Sequence, residues 1–278
     1  SRPSKDRFSQ NVVALGGGAA IFWTVAFFLL GGMAAAQYML ISGGPKFFDS
    51  SVATHAEGLL TRARELLIVL GCAFVLHVMG IADDKRSLGP FLKLAVQFAV
   101  AFAAAYFADV RMEFFIYNKF ITSALSTIWI VLLINVFNFL DNMDGLSAGV
   151  AAIAAGVLLT AALNSGQIFM SCFSLIFIGA LAGFLIFNFP PAKIYMGDAG
   201  SLVVGFFLAV LTVRTTYYHH SDDNGLYAVF MPLVVMAVPL YDFISVTFLR
   251  LKQGKSPFVG DTQHFSHRLK KRGLSNTQ

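Results

Sequence analysis

Residues 121–137 read ITSALSTIWIVLLINVF and end against NFLDNMDGL, residues 138–146. The first stretch carries no charge, and a helix of about 20 residues spans the hydrocarbon of a bilayer. An apolar helix therefore delivers a cluster of acids to one membrane face. Similar runs lie at about 13–41, 62–80, 91–108, 147–164, 167–187, 201–217 and 227–249. The fold class expected is all-α, a polytopic integral membrane helix bundle of about eight spans. Of the 278 residues, 57% are hydrophobic and only 13% charged, which argues against a water-soluble globule.

Eight spans put both ends of the chain and the loops 81–90, 138–146 and 188–200 on the same side. That side holds 14 of the 20 basic residues, so the positive-inside rule makes it cytoplasmic. The net charge of +5 is then an orientation signal, and no nucleic-acid partner is expected. Cys72 and Cys172 stand in apolar runs without CxxC spacing and read as small buried hydrophobes. Gly16-Gly17-Gly18 and Gly31-Gly32 read as close helix packing. The chain starts at Ser1 and reads as trimmed at both ends, with 1–278 a single membrane-embedded domain and 250–278 a basic, His-containing cytoplasmic loop within it.

Six carboxylates gather on the basic side near span ends: Asp83, Asp84, Asp141, Asp144, Asp198 and Asp261. Any one of them has an ordinary reading as a helix cap or turn residue. Together they suggest a common ligand, because carboxylates near a bilayer are costly. Mg²⁺, held by one or two carboxylates plus substrate phosphates, accounts for such convergence, with Mn²⁺ as an alternative. Other acids are free to act as a base or to position substrate. The spacing of Asn138, Asp141 and Asp144 would place them on one helix-end face. His264 and His267 are three apart beside Arg268 and suit phosphate oxygens. Gly254-Lys255-Ser256 looks like the end of a P-loop, but position 249 is Leu249, so that motif is absent. His77 lies within an apolar run and reads as a packed or hydrogen-bonded core residue.

Taken in order, DDKRSLGPFLKLAVQ (83–97), NVFNFLDNMDGLSAG (135–149), FNFPPAKIYMGDAGSL (187–202) and KSPFVGDTQHFSHRLKKRG (255–273) resemble the polyprenyl-phosphate N-acetylhexosamine-1-phosphate transferases. These are enzymes of the bacterial cytoplasmic membrane, related to the phospho-MurNAc-pentapeptide transferases. The resemblance implies transfer of a sugar 1-phosphate from a UDP-N-acetylhexosamine to a polyprenyl phosphate, with release of UMP and a need for Mg²⁺. It implies catalytic roles for Asp83, Asp84, Asp141 and Asp144, and metal binding by Asp198, Asn138 and Asp84. It assigns substrate contacts to Asn188, Lys93, Asp261, His264, His267 and Arg268. Two departures stand out. Ser266 occupies a position where many members have histidine, and Asn11–Gly17 keeps only the glycines of the family's Pro-x-Pro-Arg-x-Gly-Gly segment, with Arg7 and Lys5 the nearest basic residues. A homodimer is one assembly left open. The competing reading is an ion- or proton-coupled transporter, for which Asp242 inside the last span is the best feature.

Overall fold

A computed structural model describes residues 13–42, 50–112, 116–215 and 226–254. Ten helices appear among them: α1 (Gly17–Ile41), α2 (Ser50–Thr61), α3 (Ala63–Lys85), α4 (Pro90–Phe107), α5 (Lys119–Leu140), α6 (Leu146–Asn164), α7 (Ile168–Asn188), α8 (Asp198–Arg214), α9 (Leu226–Val235) and α10 (Ala237–Lys252). Two short strands, β1 (Ala14–Leu15) and β2 (Ile194–Tyr195), pair in parallel. They tie the start of α1 to the loop before α8.

By length and composition six helices can cross a membrane: α1, α3, α4, α5, α6 and α7. The two remaining apolar runs take other forms. The run at 201–217 becomes α8, which has only 17 residues. The last run is divided at Met236 into α9 and α10, because Pro239 in the first turn of α10 has no amide to donate to the Val235 carbonyl and its ring clashes with that turn. Helix α2, between the first two runs, is an element that the hydropathy pattern does not announce.

The bundle is organised around α8. Every residue from Ala199 to Thr212 is buried, and α8 packs against α1, α3, α5, α6 and α7. In lipid there is no water to drive such burial, so close van der Waals packing and interhelical hydrogen bonds must hold it. Glycines supply the close approach. A methyl group on Gly18 or Gly80 would run into the backbone of α8 at Ala199 and Gly200, and one on Gly205 would lie 2.6 Å from the Leu133 carbonyl. A polar tie adds to this, since the Trp129 indole donates to Thr212 Oγ1 at 3.0 Å.

The Gly16–Gly18 stretch therefore packs as its composition suggested. Gly31 and Gly32 differ, for both are exposed and a Cβ there would meet nothing within 4 Å. Likewise Cys172 is exposed, not buried, whereas Cys72 is buried. Gly80→Ala should force α3 and α8 apart and cost about 1–3 kcal/mol. The exposed Gly71, on the same helix and free of neighbours, provides the control. Thermal melting in detergent should show a clear drop for Gly80→Ala and none for Gly71→Ala.

Candidate active site

The C-terminal ends of α3, α5 and α7 meet the N-terminal ends of α4, α6 and α8, and the polar groups of the sequence motifs collect there. Lys93, near the start of α4, is the hub. Its ammonium donates to Asp83 Oδ2 at 2.7 Å and to Asp198 Oδ2 at 3.1 Å. Asp83, near the end of α3, also accepts from the Leu88 amide at 2.6 Å. Asn138, on the last turn of α5, donates to Asp198 Oδ1 at 3.1 Å and to Ser201 Oγ at 2.9 Å. Four helices thus place Asp83, Lys93, Asn138 and Asp198 on one another. The two carboxylates share one ammonium, which fixes their separation and offsets part of their repulsion.

Beneath this cluster lies a second polar layer, one helical turn further along α4 and one turn back along α5. Gln97, buried, accepts from the Asn135 carboxamide at 2.7 Å, and Asn135 also donates to the Val131 carbonyl of its own helix. Neither residue was singled out by sequence reasoning, although both lie inside the quoted motifs. The signal was available: two amide side chains in runs otherwise fit for lipid need partners, and each other is the nearest choice. Ser201 was missed too.

Asp84 does something else. Its Oδ1 accepts from the Asp198 amide at 3.0 Å and its Oδ2 from the Ala199 amide at 3.2 Å. Each carboxylate oxygen thus accepts from a backbone amide at the start of α8. Asp84 was expected to ligate a metal, and in the structure its carboxylate faces these two backbone amides. Gly197 makes room for this contact: its φ is +67°, and a Cβ would lie 2.6 Å from Asp84 Oδ2.

Other candidates brace loops. The Asp144 carboxylate accepts from the Ala192 amide at 3.0 Å. Asn188 is 3% exposed, accepts from the Gly145 amide and donates to the Ile194 carbonyl, each at 2.8 Å. These two residues lock the turn 141–145 to the segment 189–194, so Asn188, expected as a substrate contact, holds two loops together in the structure. Helix α5 ends at Leu140, with Asp141 as its C-cap. Asn138, Asp141 and Asp144 consequently do not share one helical face: Asn138 turns to Asp198, and Asp144 lies in the following turn. His77 is buried, with Nδ1 2.9 Å from the Ala199 carbonyl and its ring stacked on Phe22. It is a hydrogen-bonded core residue, as its setting suggested. Asp242 and Arg250 are both buried in α10, and the Arg250 guanidinium lies over the Phe139 ring. Asp261, His264, His267 and Arg268, and the loop beyond residue 254, lie outside the described residues, as do Lys5 and Arg7.

Among the described residues no group of three or more His, Cys, Asp or Glu side chains is arranged to hold a metal ion. Mg²⁺ asks for less, since one or two carboxylates suffice when phosphates and water fill its remaining positions. Asp83 and Asp198 supply that number, and the Lys93 ammonium between them shows that the space already suits a cation. The donor set fits Mg²⁺ without Asp84.

Comparison with known proteins gives a consistent result. Residues 66–216 match glycosyl transferase family 4. The chain is 33% identical to a probable undecaprenyl-phosphate N-acetylglucosaminyl 1-phosphate transferase of Bacillus subtilis, over 84% of the chain and 66% of that protein. It is 27% identical to an undecaprenyl-phosphate alpha-N-acetylglucosaminyl 1-phosphate transferase of Yersinia pestis, over 76% of the chain and 60% of the relative. With a decaprenyl-phosphate N-acetylglucosaminephosphotransferase of Mycobacterium leprae it shares 29% identity, over 75% and 58%. The chain therefore spans less than two thirds of the length of these relatives.

Proposed function

The chain belongs to glycosyl transferase family 4, and from that premise we propose that it transfers an N-acetylhexosamine 1-phosphate from a UDP-sugar to a polyprenyl phosphate, releasing UMP. The observation that carries this reading is the convergence of Asp83, Lys93, Asn138 and Asp198 at one end of the bundle. In the proposed orientation that end faces the cytoplasm from the bacterial inner membrane. One substrate then arrives along the bilayer and the other from water.

The reaction joins two anions. An oxygen of the lipid phosphate attacks the β-phosphorus of the UDP-sugar, and the bond from that phosphorus to the bridging oxygen breaks, so UMP leaves with the electron pair. Lys93 brings a positive charge to the meeting point and offsets part of the repulsion. Asp83, held by Lys93 and the Leu88 amide, orients the lipid phosphate or takes its proton. Asp198 and Asn138, with Asp83, would hold Mg²⁺, which when bound neutralises diphosphate charge and stabilises the leaving group. Asp141, the C-cap of α5, is a further acid at this end of the bundle. The relatives named above are all transferases, and nothing supports the transporter alternative.

The test is to incubate membranes carrying the protein with labelled UDP-N-acetylhexosamines, polyprenyl phosphate and Mg²⁺. The expected products are UMP and a lipid diphosphate sugar, with formation abolished by EDTA. Release of UDP, or no lipid product with any donor, would defeat the proposal.

A further inference from the structure

We propose that Asp84 is a positioning residue: it aims the Asp198 carboxylate by capping α8 from the end of α3, and it touches neither substrate nor metal. For its activity arm the inference rests on the transferase reading above; its structural arm does not.

A helix leaves its first backbone N–H groups without partners inside the helix. Those of α8 are accounted for. The Gly200 and Ser201 amides donate to the Gly197 carbonyl at 3.1 and 3.0 Å. The Asp198 and Ala199 amides, the first two of the helix, donate to Asp84. In most helices a side chain at the N-cap position does this work, but Gly197 stands there and has none. The cap comes instead from a residue more than a hundred positions earlier in the chain. A carboxylate at the positive end of a helix dipole is well placed.

The geometry makes the cap a lever on the site. Asp84 grips the backbone of Asp198, while the Asp198 side chain reaches Lys93 and Asn138. Gly80 packs directly on Ala199 and His77 meets the Ala199 carbonyl. Helix α3 therefore holds the first turn of α8 at three points, of which Asp84 is the one nearest the reacting groups. Adjacent aspartates divide the labour: Asp83 faces Lys93, and Asp84 faces backbone.

A cap needs an acceptor oxygen, not a negative charge. The protein itself shows this at α5, where the single carboxamide oxygen of Asn118 accepts from both the Phe120 and Ile121 amides. Asn and Asp are equally good caps, and Ala is a poor one. Asp84→Asn should therefore keep turnover within about tenfold of the parent, whereas Asp84→Ala should lose about a hundredfold or more, in kcat with little change in the KM for the UDP-sugar. Hydrogen–deuterium exchange over residues 196–200 should stay slow in Asp84→Asn and become fast in Asp84→Ala, whether or not sugar phosphate is transferred. If Asp84→Ala does not accumulate, Gly197→Ala offers the same readouts with Asp84 intact, because its Cβ would displace the carboxylate. The proposal is overturned if Asp84→Asn is as inactive as Asp84→Ala while residues 196–200 remain protected, the signature of a base or ligand. It is overturned equally if Asp84→Ala leaves exchange at α8 unchanged.

Discussion

Asp198→Asn should lower the release of UMP by about 10³-fold while leaving the melting temperature close to that of the parent. The expectation comes from what the substitution changes and what it preserves. The side chain keeps its shape, and the backbone amide of residue 198 still donates to Asp84, so the start of α8 remains capped. What disappears is the charge that faces Lys93 and, in the proposed reaction, the metal. Measuring the melting transition and the turnover on the same preparation separates the two effects. Turnover within tenfold of the parent would remove Asp198 from the chemistry.

Lys93→Met should have the second largest effect, and on stability as well as rate. It leaves Asp83 and Asp198 facing each other with no cation between them. Removing one partner from a fully buried pair costs about 3–5 kcal/mol. The cost here should be somewhat less, because 24% of the Lys93 side chain is exposed. Turnover should fall by about 10²-fold or more. The diagnostic experiment is the double variant Lys93→Met with Asp83→Asn. Discharging one carboxylate should recover most of the lost stability and none of the lost activity, a coupling that a double-mutant cycle reads directly. If Lys93→Met melts like the parent, the ammonium is not what holds the two acids together.

The division between what the sequence revealed and what it concealed follows the range of the interactions. Apolar runs are local, and the runs behind α1 and α3 to α7 were legible for that reason. The run at 201–217 was legible too, but not that α8 would be walled off from lipid by its neighbours, since hydropathy scores lipid-facing and protein-facing helices alike. SSVATHAEGLLT is polar enough to hide α2, while Pro239 was an unused warning of the break before α10. The association of Asp83, Lys93, Asn138 and Asp198 could be anticipated in outline, because alternating spans put their helix ends on one face. Their separate roles could not. Nothing near Asp84 in the sequence says that its partners are the amides of residues 198 and 199. Nor does the spacing of Asn138, Asp141 and Asp144 reveal that α5 ends between the first and second of them.

The burial of α8 also bears on the order of assembly. Its main packing partners, α1, α3, α5, α6 and α7, all precede it in the chain. Since chains are synthesised from the N-terminal end, every helix that lines the socket for α8 is made before α8 itself. The carboxylate that caps α8 is likewise made before the helix it caps, more than a hundred residues earlier in the chain.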